Sequence, residues 1–311
     1  MAMMLRGLVS LLCALTSISA VGGPGSSAPP RPLPFFYDLY TFRGSGQNTA
    51  VIASFAVPIG ELEKATEDGE VRYRFDVTLV LADTASRSVY RTDDSVFVRV
   101  RRPLAGQHLL HTHIQVEAPP SLTTLQRVIM TDASTPGIGQ LYSTPFPVPD
   151  YSGSDLMLSD IALGVPDARA GLRRGDATIA LLPTSQFEEG SFDLYYEVYN
   201  LPAGTHYLTE FSIEAVDEDG IPRSDRGSPV RTRFTGESAT HPDGSLGELR
   251  RVDTALDRGR YRLTVTLTDE DSGRSAHRSR FFEVRGRGRG ATLVPALPRR
   301  SGAVAEGRGS L

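Results

Sequence analysis

Apolar and polar residues alternate strictly along residues 70–81. Val71, Tyr73, Phe75, Val77 and Leu79 recur at every second position, with Arg72, Arg74, Asp76 and Thr78 between them. A period of two places the sets on opposite faces of an extended strand, one toward a core and one toward water. Wound as a helix, the same residues would scatter around the whole circumference. The pattern returns in residues 95–100, 110–116 and 125–130. Beyond Tyr151 it marks 156–163, 177–182, 192–199, 207–216, 230–234, 261–267 and 280–284. Turn chemistry separates the runs, with glycines at Gly204, Gly220, Gly259 and Gly273 beside proline, aspartate or arginine. No segment of 11 or more residues carries a helical period. Only residues 59–65 have room for a turn or two of helix. Many short strands with no long helix between them predict an all-β chain of tandem immunoglobulin/fibronectin-like β-sandwiches.

The 311 residues suffice for two ordinary domains. Prolines at 145, 147 and 149 divide the strand runs, so the expected sandwiches are 35–148 and 149–285. The second ends in two amphipathic runs around an acidic turn, a form that closes immunoglobulin-like domains.

The chain opens as an export signal over residues 1–22, with Arg6 before the apolar run 7–15 and small residues Ala20 and Gly22 at the cleavage positions. That run falls short of the ~20 residues that span a bilayer, and no later stretch qualifies as a transmembrane segment. The expected location is periplasmic or extracellular. Residues 23–34, with prolines at 24, 29, 30, 32 and 34, read as a flexible leader. Residues 286–311, rich in Gly and Arg, read as a disordered tail.

Cys13 is the only cysteine and lies inside the signal. The mature chain is therefore expected to lack disulfides, thiol catalysis and thiolate metal sites, and to rely on its apolar core. A formal net charge of -4 gives no ground for a nucleic-acid partner. Positive charge is almost wholly arginine, Lys64 being the sole lysine.

His111 and His113 share one face of an expected strand, with His108 just before it. Two imidazoles at this spacing chelate zinc or copper when a third ligand approaches, and Asp93, Asp94 and Asp132 are candidates for that ligand. The acidic turns 217–220 and 269–273 offer oxygen ligands suited to calcium, without the spacing of an EF-hand. No cofactor is otherwise implied. Tyr195 and Tyr199 lie on the face opposite Tyr196, so one aromatic set is a candidate contact surface. Residues 166–176 look like the Ala-Gly-Leu…Gly-Asp stretch of PDZ domains, with Gly137 and Gly139 upstream as an imitation of the carboxylate nest. Ser159, Asp160 and Ser185 lack a nucleophile elbow or a paired histidine.

Four segments together resemble the bacterial exported proteins named for a Gly-Trp-x-Thr-Asp motif. They are FAVPIGEL at 55–62, LMLSDI at 156–161, LYYEVYNL at 194–201 and YRLTV at 261–265. The naming motif itself is absent, since the chain has no tryptophan. The resemblance implies tandem β-sandwich segments in an exported protein of unassigned activity. The functional expectation is a non-enzymatic protein with a structural or protein-binding role. The competing readings are a metal-dependent hydrolase on a β-sandwich scaffold and a PDZ-like peptide-binding module at residues 137–182.

Overall fold

The computed structural model describes residues 32–285, apart from 107, 134–138, 166–170, 185, 188–190, 239–243 and 254–255, together with the backbone of 293–295. The side chains of 139–143 and 293–295 are likewise outside the description. The expected export signal, most of the leader, and most of the tail lie outside the described residues.

The first half contains β1 (Phe36–Arg43), β2 (Thr49–Pro58), β3 (Lys64–Glu67), β4 (Glu70–Asp83), β5 (Val89–Val100), β6 (Leu109–Ala118), β7 (Thr124–Asp132) and β8 (Gly139–Pro145). The second half contains β9 (Met157–Leu158), β10 (Ala162–Val165), β11 (Leu172–Arg174), β12 (Ala177–Leu181), β13 (Gln186–Phe187) and β14 (Ser191–Tyr199). It continues with β15 (His206–Val216), β16 (Val230–Glu237), β17 (Ser245–Asp253), β18 (Gly259–Asp269), β19 (Ser275–Val284) and β20 (Leu293–Pro295). The described residues hold no α-helix, and Ile59–Glu61 makes one 3-10 turn where a short helical turn was expected.

Four sheets pack as two sandwiches. Sheet I runs β1-β2-β6-β20, and sheet II runs β3-β4-β7-β8 with β5 also paired to β4. A core containing Val51, Phe55, Phe75, Val77, Leu110 and Val128 lies between them and reaches as far as Val148. Sheet III runs β11-β12-β10-β14-β17 with β9 on β14, and sheet IV runs β13-β19-β18-β15-β16. Between these lie Leu163, Phe192, Tyr196, Phe211, Leu263 and Phe282. Strand β4 follows its alternation residue by residue: Val71 through Leu81 are buried at every second position while the intervening side chains stay half exposed.

Strand β2 behaves differently, being buried on both faces over Thr49–Val57. Val51, Ala53, Phe55 and Val57 enter the first core. Ala50 and Ile52 point the other way and join Tyr40 and Phe42 against Ala162, Leu172, Ile179, Leu181 and Tyr195. This third apolar cluster joins the sandwiches: the outer face of sheet I packs on the outer face of sheet III.

Two expectations about the ends need correction. Leu33, placed in the leader, is buried in the first core, because its apolar side chain finds cover beside β1. Leu293–Pro295, placed in the disordered tail, forms a parallel pair with the free edge of β6, where backbone hydrogen bonds need no particular side chain. A third correction concerns residues 156–163, which form β9 and β10 with a break at Ser159–Ile161 instead of one strand. The break turns the Asp160 carboxylate toward β1.

Candidate functional site

The junction between the sandwiches concentrates the buried polar chemistry. Glu197 sits in the middle of β14 and is only 6% exposed. Its alternation partners Tyr195 and Tyr199 lie on the same side, so a strand with the sequence Tyr-x-Glu-x-Tyr brings two hydroxyls to one carboxylate. Tyr195 donates to Oε1 at 2.8 Å and Tyr199 to Oε2 at 2.7 Å. Arg174 at the end of β11 grips the same two oxygens through Nε and Nη2, both at 2.8 Å. Arg174 Nη2 also donates to the Arg43 carbonyl at 3.0 Å, across the junction. A bidentate guanidinium with two phenols satisfies this buried acid. Burial first, and then the charge of Glu197, push the Tyr195 and Tyr199 hydroxyls well above the usual phenol range. Burial acts to lower Arg174, but its bonds and attraction to Glu197 outweigh that and leave it raised.

Arg43 extends the network. Its amide donates to the Tyr199 hydroxyl at 2.7 Å, Nε to the Tyr151 carbonyl at 3.0 Å, and Nη2 to Asn200 Oδ1 at 3.0 Å. Its guanidinium lies 4.3 Å from the centre of the Tyr199 ring, a cation–π distance. On the other side, Asp160 accepts from the Thr41 amide at 2.9 Å and the Thr41 hydroxyl at 2.6 Å, and pairs with Arg278. Arg280 pairs with Asp38 and lies 4.3 Å from the Tyr40 ring centre.

A cleft of about 660 Å³ opens beside this network, lined among others by Arg43, Glu117, Arg173, Arg174, Asp176 and Glu197. Glu117 is engaged by the Ser45 hydroxyl. The tyrosines expected as an exposed contact surface are therefore corrected: Tyr195, Tyr196 and Tyr199 are all buried. Tyr196 belongs to the second core, while Tyr195 and Tyr199 are covered because the first sandwich sits on that face.

His111 and His113 do lie side by side on the outer face of sheet I, opposite Ala56 and Ser54 on β2. His111 is buried, and burial first, then the neighbouring His113, push its pKa down to about 4. Burial also lowers His113, with Asp94 opposing the fall. Both rings are thus neutral at pH 7, with lone pairs suited to a metal. Among the described residues, no third His, Cys, Asp or Glu completes a metal-holding group. Asp132 accepts the Glu63 amide at 2.6 Å, Asp93 faces Arg91 at 3.4 Å, and His108 Nδ1 lies 2.8 Å from the Ala105 carbonyl oxygen.

The acidic turns use their oxygens locally. Asp217 accepts the Ile221 amide at 2.8 Å, and Asp269 accepts from the amides of Asp271 and Ser272 and from Arg274, each at 3.1 Å. The stretch resembling a PDZ domain divides between the sandwiches: β8 belongs to sheet II, whereas β11 and β12 belong to sheet III. A PDZ-like module over 137–182 is incompatible with that division. Residues 166–170, Gly137 and Ser185 lie outside the described residues. The glycine of the imitation, Gly171, has its own reason: a Cβ there would meet the Ile179 carbonyl oxygen at 2.2 Å.

A second surface escaped the sequence reading. At the flank where sheets III and IV both end, β16 and β17 leave a groove of about 240 Å³ lined by Phe211, Ile213, Val230, Phe234, Arg250 and Val252, among others. Val230 is 42% exposed and Phe234 38%, although both face the interior side of sheet IV. The sandwich is open here.

Among the described residues, no helix is long and apolar enough to cross a membrane. The sequence matches no family model and no curated protein. Among solved structures it is similar to a Bacteroides uniformis beta-glucuronidase, at a TM-score of 0.26 and 8% identity over 77% of this chain and 26% of that one. It is similar also to red sea bream transglutaminase, at 0.21 and 13% identity over 81% of this chain and 31% of that one. The chain spans less than a third of either protein, and scores at this level carry no argument about activity.

Proposed function

We propose that the chain is an exported, non-enzymatic scaffold whose two β-sandwiches hold protein-binding surfaces in a fixed relation. The observation that carries this reading is the state of Glu197. It is a buried acid beside a large cleft, but all its hydrogen-bonding capacity serves Arg174, Tyr195 and Tyr199. A carboxylate committed in this way stiffens a joint and is not poised for proton transfer. Rigid sandwiches commonly present partners with loop tips and free strand edges, and the resemblance to exported tandem-sandwich proteins agrees in kind.

Photo-cross-linking of the folded chain in its native extract tests the reading. Specific adducts that disappear with unfolded chain are expected, alongside no turnover of ester, peptide or glycoside substrates. Turnover abolished by Glu197→Gln would overturn it. The neutral pair His111 and His113 favours a second reading, metal-dependent hydrolysis. Stoichiometric zinc in the purified chain, lost together with hydrolysis in His111→Gln, is the result that would establish it.

A further inference from the structure

We infer that β16 is a docking edge that accepts an extended segment of a partner protein as an added strand, with apolar residues facing inward and acidic residues outward. This rests on the scaffold reading and names the kind of partner it takes.

The edge has the right geometry. Strand β16 pairs antiparallel with β15 from Val230↔Ile213 to Glu237↔His206, and among the described residues nothing pairs with its other side. An eight-residue strand left unpaired on one side offers a row of backbone donors and acceptors. Apart from the half-buried Gly236, its residues are exposed on both faces. The inward face carries Val230, Thr232 and Phe234 over the 240 Å³ groove, so apolar side chains of an added strand would extend the existing core there. Phe234 is already aligned for this, edge-on to Phe211 at 5.5 Å between ring centres. The groove admits side chains and has no room for a folded domain.

Charge selects the occupant. The outward face carries Arg231 and Arg233. Arg233 pairs with Glu210 at 2.6 Å on the adjacent strand, whereas Arg231 stands opposite Ser212 and has no carboxylate partner among the described residues. On the facing rim Arg250 pairs with Glu248 and Arg251 with Asp193. The uncompensated charge of β16 itself is therefore positive, and an acidic side chain directly opposite Arg231 completes it. The same arginines disfavour a second copy of this chain. In an antiparallel self-pairing that keeps the faces matched, centring on Arg231 or Arg233 places each against its twin. Centring on Thr232 places Arg231 against Arg233. Like charges directly opposite are unfavourable.

The test uses the full chain with two labelled octapeptides, one alternating Val and Glu, the other Val and Lys. The Val-Glu peptide should bind at least tenfold more tightly, weaken with added salt, and slow amide exchange in β16 without doing so in β5 or β17. Arg231→Glu with Arg233→Glu should invert the preference, and Phe234→Asp should abolish binding while leaving the second core folded by its thermal transition. Equal binding of both peptides, no binding of either, no inversion, or protection at another strand would overturn the inference. Where strand addition fails but specific photo-adducts persist, the scaffold reading stands with a different docking surface. Turnover dependent on Glu197 would remove the scaffold reading whatever the peptides do.

Discussion

Glu197 and Arg174 illustrate how a buried charge pair constrains a fold more than it stabilises it. Taking either alone from its partner leaves an uncompensated charge in a dry place. Glu197→Ala should therefore cost roughly 3–5 kcal/mol, measured by urea denaturation, while Glu197→Leu combined with Arg174→Met should recover most of the loss. Tyr199→Phe removes a hydroxyl that accepts from Arg43 and donates to Glu197, so about 1–3 kcal/mol should go with it. His111 gives a pH dependence of definite sign. Its folded pKa is about 4, below the unfolded value of about 6.5. The unfolded chain therefore takes up its proton first as pH falls. Stability should decline from about pH 6.5 to about pH 4 and level off below, by roughly 2–3 kcal/mol from this ring. His113 acts in the same direction. Equilibrium unfolding across that range checks it, and His111→Leu should flatten the slope.

Strands were legible where one face meets water. Strand β4 shows its alternation plainly because Arg72, Arg74 and Asp76 sit half exposed between buried neighbours. Strand β2 does not, because Ala50 and Ile52 are buried by the other sandwich and the run reads as uniformly apolar. The Glu197 site was half visible: three polar-tipped side chains at 195, 197 and 199 share a face, but Arg174 and Arg43 arrive from strands 23 and 154 residues away along the chain (197 − 174 and 197 − 43), a distance no local pattern encodes. The open flank was hidden for the opposite reason, since the inward pattern of Val230, Thr232 and Phe234 looks like any half-buried strand. Close approach of strands also explains Gly171. Gly171→Ala would drive a methyl into the Ile179 carbonyl, and a loss of about 1–3 kcal/mol is expected by thermal denaturation.

Two cores joined by a third apolar cluster make the molecule's cooperativity depend on its joint. Tyr40 is fully buried there, donates to the Leu182 carbonyl at 3.1 Å and lies under Arg280. Intact, the two sandwiches should unfold in one calorimetric transition. Tyr40→Ala, which removes roughly 3–5 kcal/mol of packing, should resolve it into two. Small-angle scattering of that variant should show a broader distribution of dimensions than the parent.

Lys64 lies exposed on β3, at the edge of the first sandwich, and no other lysine exists in the chain. Amine-directed reagents therefore find a single side chain to modify. A dye or a surface tether attached through it reports from one known address, far in sequence from β16, and would leave every arginine-lined feature of the molecule chemically untouched.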